Sequence, residues 1–372
     1  MNEYLKFYEK YKISPVVQNI ENFKEHIKRR NNLYRQLSVT PLAFENKDIL
    51  EIGPGGGYNA LVTYTYEPKT YTLIEPNTTG FNELKNNFKE IDKGNIYMFS
   101  GMFEDFKPND KYDVVMCEGL IPGLTQKDEF INMIKPLIRN DGIFIMTTAD
   151  HVSMFFEIIR KYMADLLIKD LLIDEQVDIL VESFSSHLET LEGMTRSYSD
   201  WCLDNLIGDA VLEHTLTLQH AIELFSDDFY VLGSSPDIFT NYAWYKELPT
   251  NVKEYNHAYQ KQCLEKWHTL FDRRSSQTER AVEANIELGE YCLEFIQAVK
   301  DKDAVINIIK ILENIKLNLS SSFEDITILS IDEVIEVLQS GLTSEKIKNM
   351  RFFNSAFGRG QSYISFIRQS DV

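Results

Sequence analysis

From residue 48 onward the hydrophobic positions come in short, nearly uninterrupted runs that alternate with segments of helical periodicity. Such runs are typical of strands buried in a parallel sheet, and the periodic segments between them are typical of the helices that cover both faces. Five strands are predicted in this way, namely DILEIG, TYTLIEP, NIYMFSG, YDVVMCEG and GIFIMTTA. The pattern therefore predicts an α/β fold with a doubly wound, mostly parallel sheet.

The hydrophobic pattern is different on either side of these five strands. Residues 1–40 and 251–372 are mainly helical in pattern, and so is the segment that follows the fifth strand. DFYVLGSS and NYAWYKEL predict two further strands, and QSYISFIR is a candidate strand near the terminus. The predicted organisation is N-terminal helices at 1–40, a sheet domain built from 41–150 and 223–250, a helical insertion or substrate lid at 151–222, and a mainly helical C-terminal region at 251–372.

Composition narrows the class of protein. The 44% hydrophobic and 12% aromatic content is typical of a globular chain with a sizeable core. The net charge of -19 disfavours nucleic acid as a partner, because a phosphate backbone is bound mainly by Lys and Arg. The amino terminus lacks a signal-peptide pattern and no apolar run suits a membrane span, so a cytoplasmic protein without membrane contact is expected. The four cysteines are scattered without a CxxC pair, and no metal site is predicted.

The segment EIGPGGG at 51–57 carries the first candidate chemistry, with glycines at alternate positions behind a strand. Glycine lets the backbone approach a ligand closely and adopt positive φ. A dinucleotide fingerprint would need a third glycine at position 58, which is Tyr58, and a phosphate loop would need Lys followed by Ser or Thr. A tight strand-to-helix turn without a ligand is the alternative interpretation at this point.

EIGPGGG resembles the first motif of class I S-adenosylmethionine-dependent methyltransferases, in which an acidic residue precedes G-x-G-x-G. Glu75 ends the second predicted strand, where the family binds the ribose, and the late strand pair resembles the family's sixth and seventh strands. The resemblance covers about residues 30–150 and 225–250. It implies a seven-stranded Rossmann-like sheet, S-adenosyl-L-methionine as the cofactor, S-adenosyl-L-homocysteine as the product, and no metal.

The resemblance also implies where the cofactor is held. The glycine segment would line the methionine part, Glu75 would bind the ribose, and apolar contacts would replace the family's usual acid near the adenine, with Glu104 as a candidate for the amino group. Arg30 or Tyr34 would close over the methionine part, unless that helix only packs on the surface. The implied cofactor residues are Glu51, Gly53, Pro54, Gly55, Gly57, Glu75, Pro76, Gly101, Met102, Phe103, Glu118 and Tyr34.

The acceptor is expected beyond the fifth strand, because an insertion at this point overlies the site in such folds. Asp150 and His151 follow the strand directly, and His187 is the candidate base within the insertion. A dense group of Arg, aromatic and Asp residues suits a polar, hydroxyl-rich ligand, although an amphipathic helix anchored by Trp201 is an equal alternative. The predicted substrate residues are Arg196, Tyr198, Asp200, Trp201, Arg359 and Gln361.

Taken together, the residues and the resemblance predict a methyltransferase acting on a small-molecule or carbohydrate-like acceptor, with O-methylation favoured. A protein acceptor, methylated on Lys or another side chain, is one alternative, and a non-catalytic cofactor-binding or partner module is another. An NAD-dependent oxidoreductase is disfavoured by Tyr58. The apolar segment at 304–319 is open to two interpretations, a homodimer surface or part of the core.

Overall fold

A computed structural model describes residues 20–108, 110–169, 171–194, 196–208, 210–213, 215–275 and 279–370. Of the predicted N-terminal helices, the part at 1–19 lies outside these residues. The remainder forms helix α1, Phe23–Gln36, which begins after Asn22, whose side chain accepts a hydrogen bond from the Glu25 amide. Such a cap satisfies an amide that the first helical turn leaves without a partner.

Seven strands form one sheet in the order β3–β2–β1–β4–β5–β7–β6. The pairs β1–β2, β2–β3, β1–β4 and β4–β5 are parallel, and β6 pairs with β7 in antiparallel orientation. The strands are β1 Asp48–Ile52, β2 Thr70–Glu75, β3 Ile96–Ser100, β4 Tyr112–Cys117, β5 Ile138–Ala149, β6 Phe229–Ser235 and β7 Gln361–Arg368. The predicted doubly wound, seven-stranded, mostly parallel sheet is therefore confirmed.

The helices that follow α1 lie between the strands and in two longer segments after β5 and after β6. Those up to β6 are α2 Tyr58–Tyr64, α3 Thr78–Phe88, α4 Lys127–Ile134, α5 Phe155–Leu167, α6 Ile173–Leu188, α7 Tyr198–Cys202, α8 Ala210–Glu213 and α9 Leu218–Phe225. Those between β6 and β7 are α10 Val252–Lys266, α11 Val282–Lys300, α12 Val305–Leu319, α13 Asp325–Gln339 and α14 Ser344–Lys348.

The seventh strand is not the one that the late strand pair predicted. NYAWYKEL at 241–248 contains only a short 3-10 turn, and Tyr242 is 94% exposed. The seventh strand is instead β7, which lies between β5 and β6 and buries Ser362, Ile364 and Phe366 at alternate positions. An exposed aromatic run without regular alternation has no buried face to pack, whereas the alternation in β7 provides one.

Two compact units make up the chain. The sheet unit contains the described residues within Met1–Thr148, Leu216–Gln262 and Ser362–Val372, and the helical unit contains those within Ala149–Thr215 and Cys263–Gln361. Within the sheet unit, one core cluster packs side chains of α1 and α2 against β1 and β2, including Tyr34, Ile49 and Leu73. The parallel strands are buried because helices cover them, as the uninterrupted apolar runs predicted.

The helical unit has its own core, which α5, α11, α12 and α13 build together. From α12 it buries Ile308, Leu312 and Ile315, whereas Leu317 is exposed. Residues 304–319 therefore contribute to the core, and a homodimer stays a prediction. No helix within the described ranges is long and apolar enough to span a membrane.

A charged side chain lies at the centre of the helical unit. Arg160 of α5 is fully buried and donates hydrogen bonds to the carbonyl oxygens of Ala356 at 2.8 Å and Phe353 at 3.0 Å. Its guanidinium carbon also lies 3.8 Å from the centre of the Phe357 ring. A buried guanidinium is costly unless hydrogen bonds satisfy it, and these bonds fix the segment at 353–357 against α5.

The glycine segment yields a test of the fold. Gly57 has a φ of +79°, and a Cβ there would overlap Leu84 Cδ1. We expect Gly57→Ala to lower the free energy of unfolding by about 3 kcal/mol, from positive-φ strain and overpacking together. Gly94 has a φ of +86° with no neighbour within 4 Å, so Gly94→Ala isolates the backbone strain and costs about 1 kcal/mol. Urea denaturation measures both, and equal losses would contradict the overlap.

Candidate functional site

The loop after β1 has an unusual backbone conformation. Gly53, Gly55 and Gly57 all have positive φ, at +76°, +57° and +79°. Residues with a Cβ rarely adopt these angles, so the alternate glycines have a conformational reason. Gly80 of α3 also faces this loop, and a Cβ at that position would lie 3.2 Å from the Gly55 carbonyl carbon. The loop is therefore closely packed as well as specifically shaped.

Glu75 joins this loop to the end of β2. Its Oε2 accepts a hydrogen bond from the Gly55 amide at 2.7 Å, and its Oε1 accepts one from the Asn77 amide at 2.8 Å. The side chain is only 3% exposed. Hydrogen bonds to an ionised carboxylate are among the stronger ones in proteins, so they hold the loop and the acidic group in one arrangement.

The loop after β3 lies next to Glu75, because the Gly101 amide donates to the Glu75 carbonyl oxygen at 3.3 Å. Met102 is half-buried, and the buried Phe103 packs edge-on against Phe130 with ring centres 5.2 Å apart. Glu104 is exposed. The carboxyl ends of β1, β2 and β3 thus bring together the segments that were predicted to hold the methionine part, the ribose and the adenine. Pro54 is buried in the first of these segments, and Pro76 is half-buried in the second.

A buried ion pair lies beside the glycine loop. Arg30 of α1 donates from Nη2 to Glu118 Oε1 at 2.5 Å and from Nη1 to Glu118 Oε2 at 3.0 Å. Arg30 Nη2 also donates to the Tyr34 hydroxyl at 2.8 Å, and Asn59 Nδ2 donates to Glu118 Oε2 at 3.2 Å. Because Arg30 and Tyr34 are four residues apart, they lie on one face of α1. Burial raises the pKa of Tyr34 to about 12, so the hydroxyl stays neutral.

Two atoms of this cluster are buried without a partner among the described residues, the Nε of Arg30 and the Oδ1 of Asn59. One is a donor and the other an acceptor. Leaving such groups unpaired costs about 1–3 kcal/mol each, so the arrangement favours a ligand that supplies both an acceptor and a donor. The carboxylate and ammonium groups of a methionine moiety have this chemistry, and the residues present therefore fit the predicted cofactor.

Glu51 is the fourth of the five residues of β1 and is buried. The Tyr71 hydroxyl donates a hydrogen bond to Glu51 Oε2. Burial, followed by the nearby charge of Glu118, raises the pKa of Glu51 to about 8. Glu51 is therefore mostly protonated at neutral pH and adds no full negative charge to the loop.

The predicted catalytic residues have different surroundings. Asp150 Oδ1 accepts from the Val152 amide at 2.7 Å and Oδ2 accepts from Trp267 Nε1 at 2.8 Å, so its carboxylate orders the turn after β5. His151 is 5% exposed and lies edge-on to Trp267 at 5.3 Å. Its Nε2 bonds to none of the described residues, and burial lowers its pKa, which keeps the ring neutral. His151 therefore retains a nitrogen that can accept a proton.

His187 lies in the core of the helical unit and not at a surface that an acceptor reaches. It is fully buried, Nε2 donates to the Ile347 carbonyl oxygen at 2.9 Å and Nδ1 accepts from Arg160 Nε at 3.3 Å. Burial and the charge of Arg160 lower its pKa to about 3. With both nitrogens engaged, His187 has a packing role, and we correct its assignment as a base.

The predicted substrate residues are only partly brought together. Arg196 pairs with Asp204 at 2.7 Å, Tyr198 packs against the helical core, and Asp200 donates its amide to the Ser197 hydroxyl that begins α7. The polar group at 196–205 is therefore largely engaged with itself. Gln361 is exposed as the first residue of β7.

Trp201 and Arg359, which are far apart in sequence, line one cavity of about 310 Å³ in the helical unit. Glu157 and Arg273 line the same cavity, and sequence reasoning missed both. Glu157 lies within the apolar run MFFEIIRKYM, and that position is the signal that could have identified it. Burial raises its pKa to about 7. Within the part of the chain that the structure covers, no group of three or more His, Cys, Asp and Glu side chains is placed to hold a metal ion.

The sequence matches one family model, described as a methyltransferase domain, over residues 43–281. This range covers more than half of the chain and includes the glycine loop, Glu75 and Glu118. No curated protein matches the chain in sequence.

Solved structures similar to the chain include PKMT2 from Rickettsia typhi in complex with AdoHcy, at 17% identity and a TM-score of 0.42, covering 64% of this chain and 49% of that one. Another is the glycopeptide N-methyltransferase MtfA complexed with sinefungin, at 15% identity and a TM-score of 0.26. The match covers 28% of this chain and 48% of that one. A putative S-adenosylmethionine dependent methyltransferase from Listeria monocytogenes has 19% identity and a TM-score of 0.28. The match covers 32% of this chain and 54% of that one. The chain thus spans about half the length of these structures.

The raised pKa of Glu51 gives a test of stability against pH. The unfolded carboxyl ionises near pH 4.5 and the folded one near pH 8, so the folded state binds more protons between these values. The contribution of Glu51 to the free energy of unfolding therefore falls as pH rises through this window. Replacing Glu51 by Gln removes this loss and retains an acceptor for Tyr71. Between pH 5 and pH 8 we expect the stability of Glu51→Gln relative to wild type to increase by on the order of 3 kcal/mol.

Urea denaturation of both proteins at the two pH values measures this difference. Parallel losses of stability in the wild type and in Glu51→Gln would show that Glu51 ionises normally in the folded protein. The expected result is a loss of stability between pH 5 and pH 8 that the wild type shows and Glu51→Gln does not, since the folded forms of both proteins carry an uncharged side chain at position 51 at the lower pH.

Proposed function

Because the chain belongs to the methyltransferase domain family, we propose that it transfers a methyl group from S-adenosylmethionine to an acceptor, leaving S-adenosylhomocysteine. The family membership confirms the resemblance seen in EIGPGGG. The observation that carries the proposed activity is the junction between the loop of positive-φ glycines and Glu75, which the Gly55 amide joins at 2.7 Å. This junction shapes the ends of β1 and β2 into a closely packed polar cradle.

Several residues of the sheet unit would hold the cofactor. Glu75 would accept hydrogen bonds from the ribose, Met102 and Phe103 would contact the adenine, and Arg30 Nε with Asn59 Oδ1 would pair with the carboxylate and ammonium of the methionine part. When bound, S-adenosylmethionine supplies an activated methyl group, so the protein is left mainly with alignment of the acceptor. Alignment of this kind lowers a barrier by about 7–11 kcal/mol.

Tyr58 distinguishes this proposal from an NAD-dependent enzyme, because it occupies the third glycine position of the dinucleotide fingerprint. A module that binds S-adenosylmethionine without turnover is the other alternative. A measurement of turnover separates such a module from an enzyme, since both would bind S-adenosylmethionine.

For the acceptor we propose a small polar or carbohydrate-like molecule, methylated on oxygen. Support comes from the cavity of about 310 Å³ that Trp201 and Arg359 line, a volume within the range of small-molecule sites. His151, with its unpartnered Nε2, is the proposed base. Methylation of a protein side chain, such as Lys, is the competing outcome. Mass spectrometry of small-molecule and protein pools incubated with S-adenosylmethionine would separate them, and label confined to protein would overturn the small acceptor.

Replacing Glu75 tests the proposed cofactor site. We expect Glu75→Gln to weaken binding of S-adenosylhomocysteine at least about 30-fold. The amide of Gln is uncharged and provides one acceptor oxygen, whereas the carboxylate of Glu is charged and provides two. Isothermal titration calorimetry measures the affinity, and NAD serves as the ligand of the competing class. Glu90 is exposed, so Glu90→Gln is the matched control and should bind as the wild type does.

Binding of NAD in place of both sulfur ligands would overturn the proposed activity. So would equal affinities of Glu75→Gln and Glu90→Gln for S-adenosylhomocysteine, since the cradle would then not include Glu75.

A further inference from the structure

The cavity of the helical unit contains a carboxyl group with an unsatisfied atom. Glu157, the third residue of α5, is only 8% exposed, and its Oε2 is buried without a hydrogen-bond partner among the described residues. A buried carboxyl oxygen without a partner costs free energy, and such groups in folded proteins usually meet water, an ion or a ligand. Because Glu157 lines the cavity, a ligand in that space would lie next to this side chain.

The same cavity carries an excess of positive charge. Arg273 and Arg359 line it, and the buried Arg160 acts electrostatically on Glu157. Neither Arg273 nor Arg359 forms an ion pair with a carboxylate in the described part of the chain. Arg160 and Arg273 thus both act on Glu157, and Arg359 lines the same cavity, in a chain whose net charge is -19. The cavity therefore favours an anionic group, and guanidinium groups match a carboxylate in shape as well as in charge.

The two arginines are held in place by the backbone. The Arg359 amide donates to the Leu270 carbonyl oxygen at 2.9 Å and its Nε donates to the Thr269 carbonyl oxygen at 3.3 Å, whereas its terminal nitrogens donate no hydrogen bond to the described residues. Arg273 donates from Nη2 to Thr190 O at 2.8 Å. Part of each guanidinium group is thus anchored while the remaining N–H groups are left for a ligand, which reduces the entropy lost on binding.

The glycines around Arg359 explain how the loop reaches this position. A Cβ on Gly358 would overlap the Ser153 carbonyl oxygen, so only glycine permits this approach. Ser153 in turn donates its hydroxyl to the Gly360 carbonyl oxygen at 2.8 Å. The remaining wall of the cavity is apolar, from Trp201, Leu191 and Phe357. The loop is therefore a fixed part of the cavity, and an apolar group of a ligand has a surface to contact.

We propose that this cavity binds a small molecule that carries a carboxylate together with a neighbouring hydroxyl or ammonium group. The carboxylate pairs with Arg273 and Arg359, the neighbouring group donates to Glu157 Oε2, and an apolar portion packs on Trp201. This is the cavity proposed above for the acceptor, so the inference rests on the proposed function and specifies the chemistry of the acceptor, although binding itself requires no methyl transfer.

The site is tested with three related probes and the full chain. The first is 3-phenyllactate, which has a carboxylate, a hydroxyl group and a ring. 3-Phenyllactamide lacks the charge, and 3-phenylpropionate lacks the hydroxyl group. Isothermal titration calorimetry should show that 3-phenyllactate binds and that either deletion weakens binding about tenfold or more, the usual effect of a hydrogen bond to a charged group.

Substitutions in the protein then assign each contact. Arg359→Gln should weaken 3-phenyllactate about tenfold but change the affinity for 3-phenyllactamide less than about twofold, because the amide has no charge to lose. Arg351 is exposed nearby in sequence, and Arg351→Gln is the matched control. Glu157→Leu should abolish the preference for the hydroxyl group. Should this variant fail to fold, the probe series on the wild type still tests the hydroxyl contact.

Equal affinities for all three probes, or no binding at millimolar concentration, would overturn the proposal. Equal weakening by Arg351→Gln and Arg359→Gln would also overturn it, since the effect would then be one of general charge. The titrations contain no S-adenosylmethionine, so their failure and the failure of the proposed activity are separate results.

Discussion

The hydrogen bond from the Gly55 amide to the buried Glu75 carboxylate is the constraint on which the sheet unit's candidate site depends. A carboxylate that is 3% exposed needs donors, and the backbone of a neighbouring loop provides them. The loop can provide them because glycine adopts the positive φ that this position requires. Gly80 then lets α3 pack against the loop. The ends of β1 and β2 are fixed relative to each other by these contacts.

Much of this arrangement follows from the order of residues along the chain. Parallel strands place their carboxyl ends at one edge, so the positions of Glu51, the glycines and Glu75 could be predicted once the first two strands were identified. The position of the seventh strand could not be predicted in the same way. NYAWYKEL follows β6 closely, whereas QSYISFIR lies far along the chain, and the choice between them depends on long-range pairing.

The candidate residues outside the sheet show more clearly what the sequence alone cannot predict. Histidine often acts as a base, which favours His187 from the sequence alone, but its burial against Arg160 depends on the packing of α6 on α5 and on the carbonyl group of Ile347. Glu157 and Arg273 are separated by more than a hundred residues, and only the tertiary structure brings them to one cavity. By contrast, local composition is enough to identify Trp201 and Arg359, because an aromatic residue beside acidic residues and an arginine between glycines are unusual in themselves.

The antiparallel pairing of β6 with β7 has a consequence for how the chain is made. The sheet unit is interrupted twice by segments of the helical unit, and residues 361–368 form the strand that lies between β5 and β6. As the ribosome adds residues, β6 emerges long before its partner and presents an open strand edge, which is prone to pairing with other chains. The helical unit, in contrast, can bury much of its core while that edge is still unpaired. The strands on either side of β7 therefore keep unpaired edges until the last part of the sheet unit has been made.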